Sequence, residues 1–178
     1  MKILCVNGSP RVGKDLFCKY AYENRGMVYS YSTIDEVKKL ALQLGWDGQK
    51  DAKGRKFLSD LKDALTTYSD LPRKYVLEQI EQILTLYKRS DNSDVIFLVQ
   101  MREPAEIERW KNLHGARSVC ITRDDATMVT EWGNHADDET MFYHYDYYLT
   151  NASNKEAWKE KSVNFIDKIR KEKWESRI

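Results

Sequence analysis

The sequence predicts an α/β domain in which a parallel sheet is flanked by helices on both sides. Three observations lead there. Short apolar runs alternate with longer segments whose apolar residues recur every three or four positions. One run, Val95-Ile96-Phe97-Leu98-Val99, is apolar throughout, as suits a central strand covered on both faces. The first run, Ile3-Leu4-Cys5-Val6, passes straight into a glycine-bearing turn and then a helix.

In order along the chain, residues 2–6 read as a buried strand and 14–24 as a helix with Leu16, Phe17, Tyr20 and Ala21 on one side. Residues 27–31 form a second short strand. Thr33, with Glu36 three residues on, reads as a capping box. The helix it opens carries Ile34, Val37, Leu40, Ala41 and Leu44 and stops near Gly45. Residues 46–54 are polar and glycine-bearing and read as a mobile loop. A helix over 55–68 presents Phe57, Leu58, Leu61 and Leu65, and Pro72 starts another that keeps its period to Lys88. Residues 90–94 are a turn. The strand over 95–99 is followed by a helix over 104–113, ended by Gly115. Strands over 118–121 and 145–149 and a closing helix over 155–174 complete the pattern. Residues 123–144 are polar, aromatic and irregular.

At 178 residues, 42% hydrophobic and 32% charged, the chain suits one globular domain over 1–178 with a full core. The formal net charge of +1 offers no long-range field for polyanions, so a nucleic-acid partner is not expected. No stretch approaches the roughly 20 apolar residues of a membrane span, and the first apolar run is too short for a signal peptide. Cys5, Cys18 and Cys120 lack metal-ligand spacing and read as buried reduced thiols, as expected in the cytoplasm.

The chemistry concentrates in Gly8-Ser9-Pro10-Arg11-Val12-Gly13-Lys14-Asp15. Glycines at 8 and 13 let the backbone bend so that successive N–H groups converge on phosphate oxygens. The following helix adds the partial positive charge of its N-terminus, and Lys14 supplies a mobile ammonium for the β- and γ-phosphates. The stretch meets the pattern G-x-x-x-x-G-K-[ST] except in its last position, where Asp15 replaces the hydroxyl. Two readings of Asp15 stand. It is a hard oxygen ligand for Mg²⁺, or it only starts the helix, where an acidic residue interacts well with the dipole.

The loop ending Gly-Lys-Asp resembles that of a P-loop kinase group: bacteriophage-type deoxynucleoside monophosphate kinases and animal-type phosphomevalonate kinases, related to dephospho-CoA kinases. Other stretches fit in the same order. Residues 97–123 resemble the family's strand, Asp-x-Arg, helix, Gly-Ala, strand, Arg pattern, with Arg102, Glu106, Gly115-Ala116 and Arg123 in the matching places. Residues 54–65 resemble its arginine-bearing helix, Asn134-His135-Ala136-Asp137-Asp138 is similar to its lid motif, and 145–153 resemble its last strand ending in Asn. One departure matters: Gln100 stands where the family has an acidic residue. Either Asp15 takes over the metal, or transfer is slow, or the chain binds nucleotide without turnover.

The resemblance implies a three-layer P-loop NTPase fold with an acceptor-binding insertion at about 32–70 and a mobile lid at about 123–144. It implies ATP and Mg²⁺ as cofactors, held by Gly8, Ser9, Pro10, Arg11, Val12, Gly13, Lys14 and Asp15, with Asp15 on the metal and Asn151 near the adenine. Lys14, Arg102 and Arg123 would supply the positive charge that phosphoryl transfer requires. Ser32, Lys38 and Arg55 would bind the acceptor. Plainer readings remain for each: Arg102 in an ion pair with Glu103 or Glu106, Arg123 solvated beside Asp124 and Asp125, Asn151 as a turn residue, Ser32, Lys38 and Arg55 as surface. His135 reads as lid surface, and the rings over 142–148 read mostly as packing. The expected activity is ATP-dependent phosphoryl transfer to a nucleoside or deoxynucleoside monophosphate, in deoxynucleotide metabolism, by a cytoplasmic monomer or homodimer. The alternatives are another small-molecule kinase of this fold (nucleoside, phosphomevalonate or dephospho-CoA type) and a nucleotide-binding protein with little catalysis.

Overall fold

A computed structural model describes residues 1–87, 94–123, 142–151 and 154–178. The chain divides into two compact units, residues 1–30 with 90–178, and residues 31–89.

The sheet consists of strands β1 (Lys2–Asn7), β2 (Val28–Ser32), β3 (Ile96–Gln100), β4 (Arg117–Arg123) and β5 (Tyr147–Asn151), in the order β2-β3-β1-β4-β5, and all of it but the last two residues of β2 belongs to the first unit. β1 lies in the middle, parallel to β3 on one side and to β4 on the other, and β5 runs parallel to β4. All six residues of β1 are buried, which explains its unbroken apolar run. Successive side chains alternate between faces. Leu4 and Val6 therefore point to one layer, where Phe17, Cys18 and Ala21 of helix α1 (Lys14–Arg25) meet Trp158, Phe165, Ile166 and Ile169 of the last helix. Ile3 and Cys5 point to the other face, which helix α5 (Pro104–His114) covers against β1 and β4 with the fully buried Ile107 and Trp110. Helix, sheet and helix thus make three layers, and burial of each large apolar side chain contributes about 1.5–3 kcal/mol.

The second unit contains helices α2 (Asp35–Gln43), α3 (Ala52–Ser69) and α4 (Leu71–Leu86). Val37, Ala41 and Leu58 form its small core, with Ile34, Trp46, Phe57, Leu61 and Leu65 packed around them. Pro72 lies in the first turn of α4, where its missing N–H costs nothing. The last helix, α6 (Lys155–Lys171), starts at Asn154, whose side chain accepts from Glu156 N–H at 2.8 Å.

Several boundaries differ from the sequence reading. Thr33 does not cap α2. The helix begins at Asp35 behind Ile34 with no side-chain cap, while Thr33 is buried. Residues 52–54 are not loop. Asp51 caps α3 by accepting from Gly54 N–H at 2.7 Å, so Gly54 sits inside the first turn, close under Trp46. The Asp-x-x-Gly cap was hidden in a stretch whose polarity reads as loop. The closing helix stops at Lys171 and not at 174. The tail beyond it docks through Ser176, whose Oγ accepts from Ile3 N–H at 2.9 Å and donates to the Gly115 carbonyl at 3.1 Å. The expected turn at 90–94, except Asp94, lies outside the described residues, as do most of the expected lid at 123–144 and the whole of the motif at 134–138 with His135.

Candidate nucleotide site

In open parallel sheets ligands sit outside the carboxyl ends of the strands, where the strand order reverses. Asn7, Gln100, Arg123 and Asn151 each close a strand at that end, and Arg102 follows β3 by two residues. The turn from β1 to α1 leaves from the middle of this edge.

Its backbone needs glycine at both ends. Gly8 has φ +139° and a Cβ there would stand 2.2 Å from the Ile121 carbonyl oxygen. Gly13 has φ +104°, and its Cβ would meet Asn151 Nδ2 at 2.5 Å and Trp158 Nε1 at 3.3 Å. Arg11 also adopts a positive φ, 64°, which is strained for a residue with a side chain. Gly13 is the N-cap of α1 and provides no side-chain cap, so the first-turn N–H groups of the helix are left to whatever anion approaches.

The Lys14 ammonium folds back over the turn, donating to the Gly8 carbonyl and to the Ser9 carbonyl at 2.9 Å. This puts a positive charge inside the bend. Asp15 is exposed in the first turn of α1. Among the described residues no three His, Cys, Asp or Glu side chains are grouped as a metal site. A glycine-bent turn that ends at an uncapped helix N-terminus and is closed by an ammonium fits the phosphates of a nucleotide. A single exposed carboxylate fits a Mg²⁺ ion that keeps most of its ligands from phosphate and water.

The loop is held from behind. Asn151 Nδ2 donates to the Val12 carbonyl at 2.8 Å, and Val12 itself is buried in the core. The resemblance implies Asn151 near an adenine; in the structure its side-chain amide donates to the loop main chain. Asn7 ties the loop from below. Its Oδ1 accepts from Gly8 N–H at 2.7 Å, while its Nδ2 donates to the Arg102 carbonyl and to Tyr145 Oη, each at 2.9 Å. Sequence reading missed Asn7. The available signal was a polar residue ending an apolar strand, which must find partners when buried.

Of the arginines, Arg102 is exposed and Arg123 half-buried, level in register with Asn151. Gln100 Nε2 lies 3.4 Å from Ser30 Oγ. Both stand beside Cys18, whose thiol burial pushes up to about 12. Burial likewise raises the Cys120 thiol to about 11, with the Lys14 ammonium pulling the other way, and all three cysteines are free and buried. They have the inert character expected of them.

Ser32, Lys38 and Arg55 belong to the second unit. Asp35 brings two of them together: its Oδ2 accepts from Ser32 N–H at 3.0 Å and its Oδ1 lies 3.6 Å from Lys38 Nζ. Arg55 is exposed on α3. In the aromatic segment, Phe142 and Tyr148 are exposed and Tyr145 is buried, with the rings of Tyr143 and Tyr148 edge-on to it at 4.8 and 5.8 Å.

No protein-family profile and no curated protein sequence matches this chain. Solved structures do. A dephospho-CoA kinase from Campylobacter jejuni superposes with a TM-score of 0.52 at 18% identity, over 94% of this chain and 97% of that one. A shikimate kinase from Bacteroides thetaiotaomicron gives a TM-score of 0.45 at 13% identity, over 94% of this chain and 97% of that one. Among the described residues no helix is long and apolar enough to cross a membrane. With its parallel five-stranded sheet between helical layers, its β1-loop-α1 turn and its likeness to the first of these structures, the chain has the three-layer α/β P-loop fold.

Proposed function

We propose that this chain is an ATP-dependent kinase whose acceptor is a nucleoside or deoxynucleoside monophosphate. The observation that carries the reading is the turn over residues 8–13, held open by two positive-φ glycines and closed by the Lys14 ammonium at the head of α1.

The turn's amides and the α1 N-terminus grip the donor phosphates. The Lys14 ammonium leaves the Gly8 and Ser9 carbonyls for phosphate oxygens, a short move for a flexible side chain. Arg102 and Arg123 leave the sheet at the same end and supply charge around the group in transfer. An oxygen of the acceptor phosphate attacks the γ-phosphorus, the bond to the β–γ bridging oxygen breaks, and ADP leaves with that electron pair. The acceptor is already an anion near neutral pH, so alignment and charge neutralisation suffice without a strong general base. Asp15, in the first turn of α1, would be the side chain to hold Mg²⁺, which when bound would offset negative charge on the phosphates. Ser32 and Lys38, drawn together by Asp35, and Arg55 are the proposed acceptor contacts.

A second reading, phosphoryl transfer to a larger alcohol acceptor such as dephospho-CoA, draws support from the superposition on the Campylobacter jejuni enzyme. An ADP-release assay across ribo- and deoxynucleoside monophosphates, with dephospho-CoA alongside, separates the two. Turnover of a monophosphate that Lys14→Ala abolishes supports the first. Turnover of dephospho-CoA alone supports the second. ATP binding without turnover of any acceptor overturns both and leaves a nucleotide-binding protein, consistent with Gln100 in place of a carboxylate.

A further inference from the structure

Asn7 is 1% exposed, and its amide is committed at both ends. The Gly8 N–H can only donate, so it requires the amide oxygen. The Arg102 carbonyl can only accept, so it requires the amide nitrogen. These two partners fix which way the amide lies, and the second N–H then points at Tyr145 Oη. Tyr145 is itself pinned. It is 7% exposed, its N–H donates to Tyr148 Oη at 3.1 Å, and two tyrosine rings pack edge-on against it. One buried side chain thus joins the first amide of the phosphate loop to the main chain that carries Arg102, two segments nearly a hundred residues apart in sequence.

We propose that Asn7 is a positioning residue that sets the phosphate loop and Arg102 in register, and that the Tyr145 hydroxyl holds the Asn7 amide in the orientation this needs. The inference rests on the kinase reading only for its catalytic consequence. The commitment of Gly8 N–H to Asn7 turns that amide away from any ligand, so the phosphate-facing donors come from later in the turn. The same bond sets the direction in which the chain leaves β1. At the other end, donation to the Arg102 carbonyl fixes the peptide that orients the arginine before α5 begins. Tyr145 touches neither Gly8 nor Arg102 through these bonds. Within this set of bonds its hydroxyl reaches them by way of the Asn7 amide.

The test uses the full chain with Asn7→Ala, Tyr145→Phe, Arg102→Ala and the double variant Asn7→Ala with Arg102→Ala. Tyr145→Phe removes one hydroxyl and keeps the ring packing, so it remains informative if Asn7→Ala fails to fold. The first readout needs no turnover: hydrogen exchange at the Gly8 amide. We expect exchange at least about tenfold faster in Tyr145→Phe as well as in Asn7→Ala. Unchanged exchange in Tyr145→Phe overturns the role of Tyr145, and unchanged exchange in both overturns the proposal. The second is kinetic. Asn7→Ala should lower kcat about 10- to 100-fold while shifting ATP affinity less than about threefold, and most of that loss should vanish in the Arg102→Ala background. An equal fold-loss in both backgrounds marks a general structural role and overturns the coupling. If the wild-type chain binds ATP and turns over no acceptor, the kinase reading fails, and the exchange readout still decides the proposal.

Discussion

Asn151, at the end of β5, holds the Val12 carbonyl at 2.8 Å and at the same time blocks the space where a side chain at residue 13 would go. The last strand of the sheet therefore shapes the turn that follows the first strand. If this is the principal role of Asn151, Asn151→Ala should destabilise the chain by about 1–3 kcal/mol, because a buried carbonyl loses its donor. It should also weaken ATP and GTP binding by similar factors. A loss confined to ATP would instead point to contact with adenine. Urea unfolding and nucleotide titrations with both purines separate the two.

Gly13→Ala and Gly8→Ala should each cost more than a surface glycine does. A positive φ alone costs an L-residue on the order of 1–2 kcal/mol. At Gly13 the new Cβ also presses on a side-chain amide that can yield a little. At Gly8 it meets the main-chain oxygen of Ile121 on β4, at 2.2 Å, which cannot yield without moving the strand. Gly8→Ala is accordingly expected to be the more damaging. Gly45→Ala, which has a positive φ of 93° but open space around it, is the control that isolates the backbone cost. Thermal melts of the three variants in one buffer check the order.

Asp15 is the exposed carboxylate of the first turn of α1. If it contacts the metal, Asp15→Asn should raise the Mg²⁺ concentration for half-maximal activity and lower the maximal rate. Affinity for metal-free nucleotide should hold or improve, since one repelling charge beside the phosphates is gone. Mg²⁺ titrations of wild type and variant decide this. Superimposable curves would show a helix-start residue and nothing more.

Asp146 gives a prediction about pH. Burial works to raise its carboxyl, but bonds from Ser118 N–H and Oγ, each at 2.8 Å, and the Lys111 ammonium at 3.1 Å outweigh that and hold it below its usual value. A carboxyl lowered on folding contributes stability above its unfolded pKa of about 3.9, and loses it as pH falls through the folded value. Asp146→Asn should therefore lower the urea midpoint at pH 7 and flatten its fall in acid below about pH 4. Parallel wild-type and variant curves down to the acid limit would contradict this.

The order of strands and helices, and the turn over residues 8–15, could be read from the sequence because each rests on local patterning. Four apolar residues in a row, Ile3 to Val6, mark β1, and glycines at 8 and 13 mark a backbone that other residues rarely adopt. Local reading failed where polarity and position conflicted. Asp51 and Gly54 looked like loop and proved to be a helix cap, and Thr33 looked like a cap and proved to be buried. What no local pattern could supply is how the ends of separate strands meet. That Asn7 joins Gly8 to Arg102 and Tyr145, and that Asn151 grips Val12, depends on β1 standing between β3 and β4 with β5 beyond. Strand order is set by which apolar faces bury most against α1, α5 and α6 together, and that is a property of the assembled layers and not of any one segment.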